Sequence, residues 1–473
     1  MKTKYFFSSI ALILFLFGCS NENNSGIIPE GEKKGVEGAQ TIYFTWTLTD
    51  ESGTEASFTT STTSATNEIL IDWGDGTKSL SYSGNNGLND DGTNSRVLTI
   101  IHTYTDVGTY NVKVTAEMPY AFEFFSVNNQ VSSLDVSECV NLTSLYCSFS
   151  QLTDLDLSNN KDLESLYCTS NQLTHLDLSN NTNLRHLECY SNQLTDLDLS
   201  NNKLLEWLCC SSNQLTHLDL GNNTDLRHLD CSSNQLTNLD LSNNKLLEWL
   251  CCSSNQLIHL DLSNNEELRE LLCDSNQLTH LDLSSDLMDL ECSFNQLTDL
   301  DLSSSKSLYS LRCHSNQLTH LDLSNNTDLS MLHCYSNKLT SLDISNNRRS
   351  LSLLCYNNSI PLVDLFNASE IIKDSEFGTN RSGTQTLETV TWYEESAVID
   401  SVFWGNGTSF DVTLDGKAAI TNKDYSITDG TISFLNKGLY SITISNPMIV
   451  SDPEFPAKVI ANFNIPYLQS SQH

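Results

Sequence analysis

A cysteine that recurs at a fixed interval constrains the fold of this 473-residue chain more than any other feature. Most steps between these cysteines are 21 residues, and one step, at Ser284–Leu287, is 19. The members of the series are Cys147, Cys168, Cys189, Cys210, Cys231, Cys252, Cys273, Cys292, Cys313, Cys334 and Cys355. A period of this length predicts a solenoid, in which each repeat forms one coil and only stacked coils bury their apolar side chains.

Each repeat reads L-x-x-L-x-C-x-x-N-x-L-x-x-L-D-L-S-x-N-x-x, as in Leu163–Asn183. The leucines are expected to point inward and stack from coil to coil, with the cysteine as a small buried hydrophobe among them. Asn171 is expected to satisfy backbone groups where the chain leaves the strand, and its counterparts would form a ladder. Those counterparts are Asn192, Asn213, Asn234, Asn255, Asn276, Asn295, Asn316 and Asn337.

The cysteine series admits three chemical interpretations. Rungs about 4.8 Å apart lie within the Cα range of a disulfide, and an exported protein can form disulfides. Side chains on neighbouring parallel strands point the same way, however, which gives a poor disulfide dihedral, and eleven rungs is an odd number. A ladder of reduced thiols is therefore favoured. A parallel row of thiols cannot surround zinc tetrahedrally, so no metal site is expected.

The nested repeat with a cysteine in a leucine slot resembles the bacterial leucine-rich repeats of the internalin J class, over residues 119–366. The resemblance implies a surface protein that binds host receptors or mucins. Counting along the cysteine series, with one more coil before Cys147, gives about 12 coils. The first coil is expected at Ala121–Val140, with Phe124 in the leucine slot and Ser126 in the cysteine slot. Anchoring is expected to differ from that class, because this chain has a lipoprotein-type signal and no cell-wall sorting tail.

Residues 1–19 indicate the cellular localisation of the protein. Lys2 and Lys4 precede an apolar run, Tyr5–Phe17, that is too short for a spanning helix and suits a secretory signal. The run ends at Gly18-Cys19 and resembles a bacterial lipoprotein signal, in which Cys19 would be lipidated; a plain signal peptide with an incidental cysteine is the alternative. Lipid chains anchor a protein without spanning the bilayer. We therefore expect an exported protein, lipid-anchored at the outer membrane or cell surface, with residues 20–39 as a flexible tether.

Two further β-rich regions flank the repeats. Residues 40–118 contain alternating strand-like runs, a hairpin signal at Trp73–Thr77 and the segment Gly108–Val114, which together resemble the PKD domain, an immunoglobulin-like β-sandwich. Residues 372–473 contain short alternating runs separated by Gly-rich turns, which predict a second immunoglobulin-like sandwich. The predicted fold class is mainly β: a leucine-rich repeat solenoid with a cysteine ladder, flanked by two immunoglobulin-like β-sandwich domains.

Charge and motifs restrict the function. The chain has 24 Lys and Arg against 59 Asp and Glu, a formal net charge of −35, which repels phosphate backbones and argues against nucleic-acid binding. It contains no nucleophile elbow, zinc-protease motif, P-loop or dinucleotide fingerprint, so no enzyme activity, catalytic residue or cofactor is expected. A surface binding or adhesion protein is favoured, a structural scaffold of the cell envelope is the alternative, and an accessory to glycan processing is less favoured.

The residues beside each inward leucine and cysteine are expected to face outward on the sheet. Aromatic and acidic side chains there predict a ligand-binding patch: Tyr146, Tyr167, His186, Tyr190, Trp207, His228, Trp249, Glu270 and Asp274. Aromatic side chains on a rigid sheet suit protein or glycan recognition, and acidic neighbours favour a basic or hydroxyl-rich partner. Candidate partners are a host mucin, a host receptor or an envelope protein. Alternatively, the aromatic residues only shield the sheet or pack against another domain.

Overall fold

The computed structural model describes most of the chain after residue 38. The described residues are 39–49, 55–62, 68–82, 96–117, 119–124, 131–283, 286–347, 351–372, 380–387, 389–391, 396–398, 408–428, 431–447, 449, 451–454 and 456–466. Cys19, residues 20–38 of the predicted tether and Ser126 lie outside these ranges, whereas Ala39 already belongs to the first strand.

The N-terminal unit consists of two sheets that share an aromatic core. Its strands are β1 (Ala39–Leu48), β2 (Glu55–Thr62), β3 (Glu68–Asp72), β4 (Lys78–Tyr82), β5 (Arg96–Thr103), β6 (Gly108–Glu117), β7 (Pro119–Phe124) and β8 (Val131–Asp135). One sheet has the order β4-β3-β6-β1-β8, and the other contains β7-β2-β5. Phe58 of the second sheet lies 5.7 Å from Phe44 and 5.9 Å from Trp73, between ring centroids, so the two layers pack face to face. The assignment of this unit to the PKD domain stays a prediction.

The N-terminal unit joins the solenoid through a continuous sheet. Strand β7 pairs antiparallel with β2 and parallel with β9 (Ser144–Tyr146), which places Phe122 opposite Leu145. The prediction that Phe124 fills the leucine slot is therefore wrong, since Phe122 occupies it, 23 residues before Leu145 rather than 21. The extra length arises because β8 leaves to pair with β1 before the first regular coil begins.

Parallel strands, one per coil, form the main sheet of the solenoid. There are eleven such strands, and β9 is the first. The others, in order, are β10 (Ser165–Tyr167), β11 (His186–Glu188), β12 (Trp207–Cys209), β13 (His228–Asp230), β14 (Trp249–Cys251), β16 (Glu270–Leu272), β18 (Asp289–Glu291), β19 (Ser310–Arg312), β20 (Met331–His333) and β21 (Ser352–Leu354). Two more strands, β15 (His259–Leu262) and β17 (His280–Leu283), form a separate two-stranded sheet. The mainly β fold and the leucine-rich repeat solenoid are thus confirmed, with about ten turns rather than twelve coils. The ten steps of about 4.8 Å between neighbouring strands make the array about 48 Å long.

Buried asparagines connect the coils. The amide group of Asn171 donates to the carbonyl oxygens of Cys147 (2.9 Å) and Cys168 (3.0 Å) and accepts the Leu152 N–H at 3.0 Å. The predicted role of this position is confirmed. A second ladder, typified by Asn181, donates to the carbonyl oxygens of earlier coils and was not separately predicted. Its other members are Asn160, Asn202, Asn223, Asn244, Asn265, Asn326 and Asn347.

All fourteen described cysteines are free thiols, and the eleven ladder cysteines are completely buried. Burial raises the pKa of the Cys147 thiol to about 12. Burial, together with the neighbouring Cys147, raises the pKa of Cys168 well above its ordinary value. The ladder is therefore neutral and packs as a row of small apolar groups, which agrees with the reduced interpretation.

The C-terminal end of the solenoid is covered by a helix that was not predicted. Helix α1 (Leu362–Ile372) follows Pro361, a residue suited to the first helical turn, and buries Leu365 and Ala368. Among the described residues, no helix is long and apolar enough to cross a bilayer.

Beyond the helix, strands form two sheets. They are β22 (Asn380–Arg381), β23 (Thr384–Thr386), β24 (Val390–Thr391), β25 (Ser396–Val398), β26 (Ser409–Leu414), β27 (Lys417–Ala418), β28 (Tyr425–Thr428), β29 (Thr431–Phe434), β30 (Gly438–Ser445) and β31 (Lys458–Ile465). Strand β22 extends the solenoid sheet beside β21. One sheet has the order β23-β31-β30-β26-β27, with β24 also paired to β31, and the other is β25-β29-β28. The immunoglobulin-like assignment of this unit stays a prediction.

Candidate ligand-binding face

Three columns of outward side chains cross the parallel sheet. The first column precedes the inward leucine, the second lies between leucine and cysteine, and the third follows the cysteine. Because the strands pair in register, His186 with Trp207 and Glu188 with Cys209, equivalent side chains stand beside one another about 4.8 Å apart. We call the surface formed by these columns the sheet face. Its spacing allows flat rings to stack.

Six of the predicted site residues form one continuous ring stack, which we call the first stack. In order along the solenoid, its members are Tyr146, Tyr167, His186, Trp207, His228 and Trp249. Packing is tightest around His228, whose ring centroid lies 3.4 Å from that of Trp207 and 4.0 Å from that of Trp249, at angles of 4° and 2°. The stack moves from the second column to the first between Tyr167 and His186, across 4.8 Å.

Stacking covers ring faces and leaves ring edges outward. His228 lies between two indoles, and burial lowers its pKa to about 3, so it is neutral near pH 7. At the end of the stack, the Trp249 Nε1–H donates to Glu270 at 3.1 Å. The first stack therefore offers a rigid, largely apolar ridge rather than separate open ring faces.

The remaining predicted residues flank this ridge. Tyr190 and Asp274 are half-buried in the third column, where Asp274 accepts hydrogen bonds from Ser253 and Ser275. Between the columns, Glu188 bonds to His186 at 3.0 Å. Sequence reasoning placed these residues on one surface, and the structure brings them together as a ridge with acidic neighbours.

A denser charged cluster lies beyond the ridge. Arg312 lies 3.4 Å from Asp289 and 3.6 Å from Glu291, and Ser293 donates to the Glu291 carboxylate. Burial, with a contribution from the negative charge of Asp274, raises the pKa of Glu291 to about 7. Sequence reasoning assigned these residues to outward columns but did not single out Glu291, because its burial depends on the packing of neighbouring coils.

The raised pKa of Glu291 predicts a pH-dependent stability. The folded chain binds the Glu291 proton more tightly than the unfolded chain, so this group lowers the free energy of unfolding as pH rises from about 4.5 to about 7. We expect Glu291→Gln to gain about 3 kcal/mol in the free energy of unfolding relative to the parent at pH 8 and little at pH 4. Urea unfolding at a series of pH values measures the difference, with the exposed Glu248→Gln as control. A difference that does not vary with pH contradicts the prediction.

A second ring stack occupies the third column in the C-terminal half of the face. His314 lies 4.1 Å from Tyr335, and Tyr335 lies 4.5 Å from Tyr356, with near-parallel rings. Phe294, 56% exposed, meets the edge of His314 at 5.0 Å. We call these four residues the second stack. Tyr356 follows Cys355 directly, so the column rule used for the first stack points to it; Phe294 lies two residues after its cysteine, and no pattern identifies it.

A column of aspartates on another surface has a local structural role. Asp177 accepts the Ser179 N–H at 2.9 Å, and the hydrogen bonds from Ser179 lower the pKa of the aspartate. The same Asp-x-Ser contact recurs at Asp156, Asp198, Asp240, Asp261, Asp301, Asp322 and Asp343. Within the described ranges, no group of three His, Cys, Asp or Glu residues is placed to hold a metal ion.

The fold and this face define a leucine-rich repeat protein. No family model and no curated protein matches the chain. Among solved structures it is similar to the functional domain of InlJ from Listeria monocytogenes, which includes a cysteine ladder, at 26% identity over 73% of this chain and 85% of that one, with a TM-score of 0.48. It is also similar to a leucine-rich repeat protein of Leptospira interrogans, at 21% identity over 53% and 81%, with a TM-score of 0.41. A third is a receptor kinase ectodomain from Arabidopsis thaliana in complex with CASPARIAN STRIP INTEGRITY FACTOR 2, at 22% identity over 55% and 37%, with a TM-score of 0.43.

Proposed function

We propose that this protein is a non-enzymatic cell-surface lipoprotein, anchored through Cys19, that binds a polypeptide ligand on the sheet face. The observation that carries this proposal is the first stack, six rings fixed in place on a rigid parallel sheet. An anchor whose rotamers are already fixed loses little conformational entropy when a partner binds, and buried aromatic residues dominate many protein interfaces.

The geometry favours a polypeptide over a glycan. Sugar rings pack on open aromatic faces, whereas most faces of the first stack are covered by neighbouring rings. Ring edges and the half-buried thiol of Cys251 instead form a ridge that suits the side chains of a protein. A host receptor or the protein core of a mucin fits this description, as in an adhesin.

A scaffold of the cell envelope is the second candidate. A ridge that runs along the solenoid, with acidic groups such as Glu188 and Glu270 beside it, also suits permanent assembly with another envelope protein. Recovery of one stoichiometric envelope partner after cross-linking in cells would favour this role over adhesion.

Peptide and glycan arrays probed with residues 20–473 test the proposal. We expect binding to peptides, weakened at least tenfold, about 1.4 kcal/mol, in the double variant Trp207→Ala, Trp249→Ala, because both indoles leave the ridge. Tyr309→Ala is the matched control, since Tyr309 is 52% exposed and lies outside both stacks. Binding to glycans alone, or peptide binding that both variants retain equally, contradicts the proposal.

A further inference from the structure

A cleft lies where the last coil meets the C-terminal unit, at the end of the second stack. Its volume is about 290 Å³, and its lining residues are Tyr356, Asn357, Gly383, Thr384, Thr386, Glu454 and Pro456. This volume is at the lower limit of ligand pockets and suits one side chain or a small organic ion.

The chemistry of the lining is specific. Tyr356 supplies an aromatic wall, held in place because Tyr335 stacks on it at 4.5 Å. Glu454 is the one charged side chain among the lining residues, and Thr384 and Thr386 add hydroxyl groups. An aromatic ring beside a carboxylate attracts cations, and a guanidinium group can both stack on the ring and donate to the carboxylate.

The close approach of the two units defines the cleft. Gly383 has a φ of +53°, and a Cβ atom there would lie 2.3 Å from the Cβ of Tyr356. Gln385, two residues later, donates to the Cys355 carbonyl at 3.0 Å and so fixes the unit to the last coil. The cleft is therefore a rigid feature of the junction.

The cleft continues the sheet face. Five strand steps separate the end of the first stack on β14 from β21, the strand that precedes Tyr356. At about 4.8 Å per step, the distance between the two strands is about 24 Å. About seven residues of extended chain span this distance. Carboxylates of Glu270, Asp289 and Glu291 lie on this path together with Arg312, which pairs with the last two, in a chain whose net charge is −35.

We propose that the cleft at Tyr356 and Glu454 is a second binding site that takes the guanidinium side chain of an arginine. Its assignment to the polypeptide bound by the first stack rests on the proposed function; the cation site itself does not. The distance between the two sites favours a ligand segment with an arginine about seven residues from its apolar anchor.

Titration of residues 20–473 with N-acetyl-arginine amide, followed by the amide NMR signals of Gly383 and Thr384, tests the site. We expect saturable shifts at millimolar concentration, at least fivefold weaker binding of the neutral analogue N-acetyl-citrulline amide, and a similar loss in Glu454→Gln. The matched control is Glu138→Gln, which removes an exposed carboxylate in the first coil. Glu454 is exposed, so its variant is expected to fold as the parent does.

Equal binding of the arginine and citrulline probes, no shifts with either, or equal shifts in Glu454→Gln and the parent would overturn the site. The probe is too small to reach from the cleft to the first stack. Failure here therefore leaves polypeptide binding by the first stack in place, and failure of the peptide arrays leaves this site in place.

Discussion

Asn213→Ala is expected to lower the free energy of unfolding by about 4 kcal/mol. Asn213 accepts the Leu194 N–H at 3.0 Å and donates to the carbonyl oxygens of Cys189 and Cys210, both at 3.1 Å. Alanine leaves the Leu194 N–H buried without a partner, which costs about 1–3 kcal/mol. The two carbonyl oxygens each lose one of two hydrogen bonds, since Cys189 still accepts from Asn192 and Cys210 from Asn234, at about 1 kcal/mol per lost bond. Urea unfolding measures the loss, and hydrogen exchange at Leu194 reports it locally.

Asn201→Ala is the matched control. It makes the same change of residue type but removes no ladder contact, so it measures the contribution of backbone propensity and of a surface amide group. Asn201 is an exposed asparagine in the preceding repeat, so its substitution is expected to change stability by less than about 0.5 kcal/mol. Equal losses in the two variants would show that the ladder contributes no more than a surface amide does.

The repeat pattern predicts the solenoid well because one rule applies in every coil. The inward slots of leucine and cysteine follow from their fixed spacing, and the outward columns follow from strand alternation. Those columns correctly brought Trp207, His228 and Trp249 to one surface. Periodicity does not specify the orientation of the rings, which results from the strand spacing. The sequence therefore did not predict that neighbouring rings cover each other's faces.

Prediction failed where the period ends. Phe122, rather than Phe124, fills the first leucine slot, because β8 pairs with a distant strand that the repeat does not encode. At the other end, the C-terminal cap is supplied by a helix and by Gln385. Both junctions depend on contacts between residues far apart in the sequence, and a local sequence motif does not predict such contacts.

Gly383→Ala is expected to destabilise the C-terminal junction by about 3 kcal/mol. The φ of +53° disfavours any side chain by about 1 kcal/mol, and a Cβ at 2.3 Å from that of Tyr356 forces the chain to shift. Differential scanning calorimetry and hydrogen exchange in β21–β23 measure the effect. The arginine probe is expected to lose its binding as well, because the clash lies in the wall of the cleft.

Gly416→Ala is the matched control, because Gly416 has a similar φ of +74° but nothing within 4 Å of an added Cβ. It is expected to cost only the backbone contribution of about 1 kcal/mol. The excess in Gly383→Ala then reports how tightly Gln385 is held as the final rung of the asparagine ladder. The Gln385 amide accepts the N–H of Ile360 at 3.3 Å and donates to the Cys355 carbonyl, the same kinds of contact that Asn171 makes four residues after its strand in an inner coil. If both alanine variants lose the same stability, close packing at the junction is not what holds the C-terminal unit on the solenoid. If only Gly383→Ala increases hydrogen exchange in the last coil, the close contact of Gly383 with Tyr356 both keeps Gln385 in the asparagine ladder and forms the wall of the cleft.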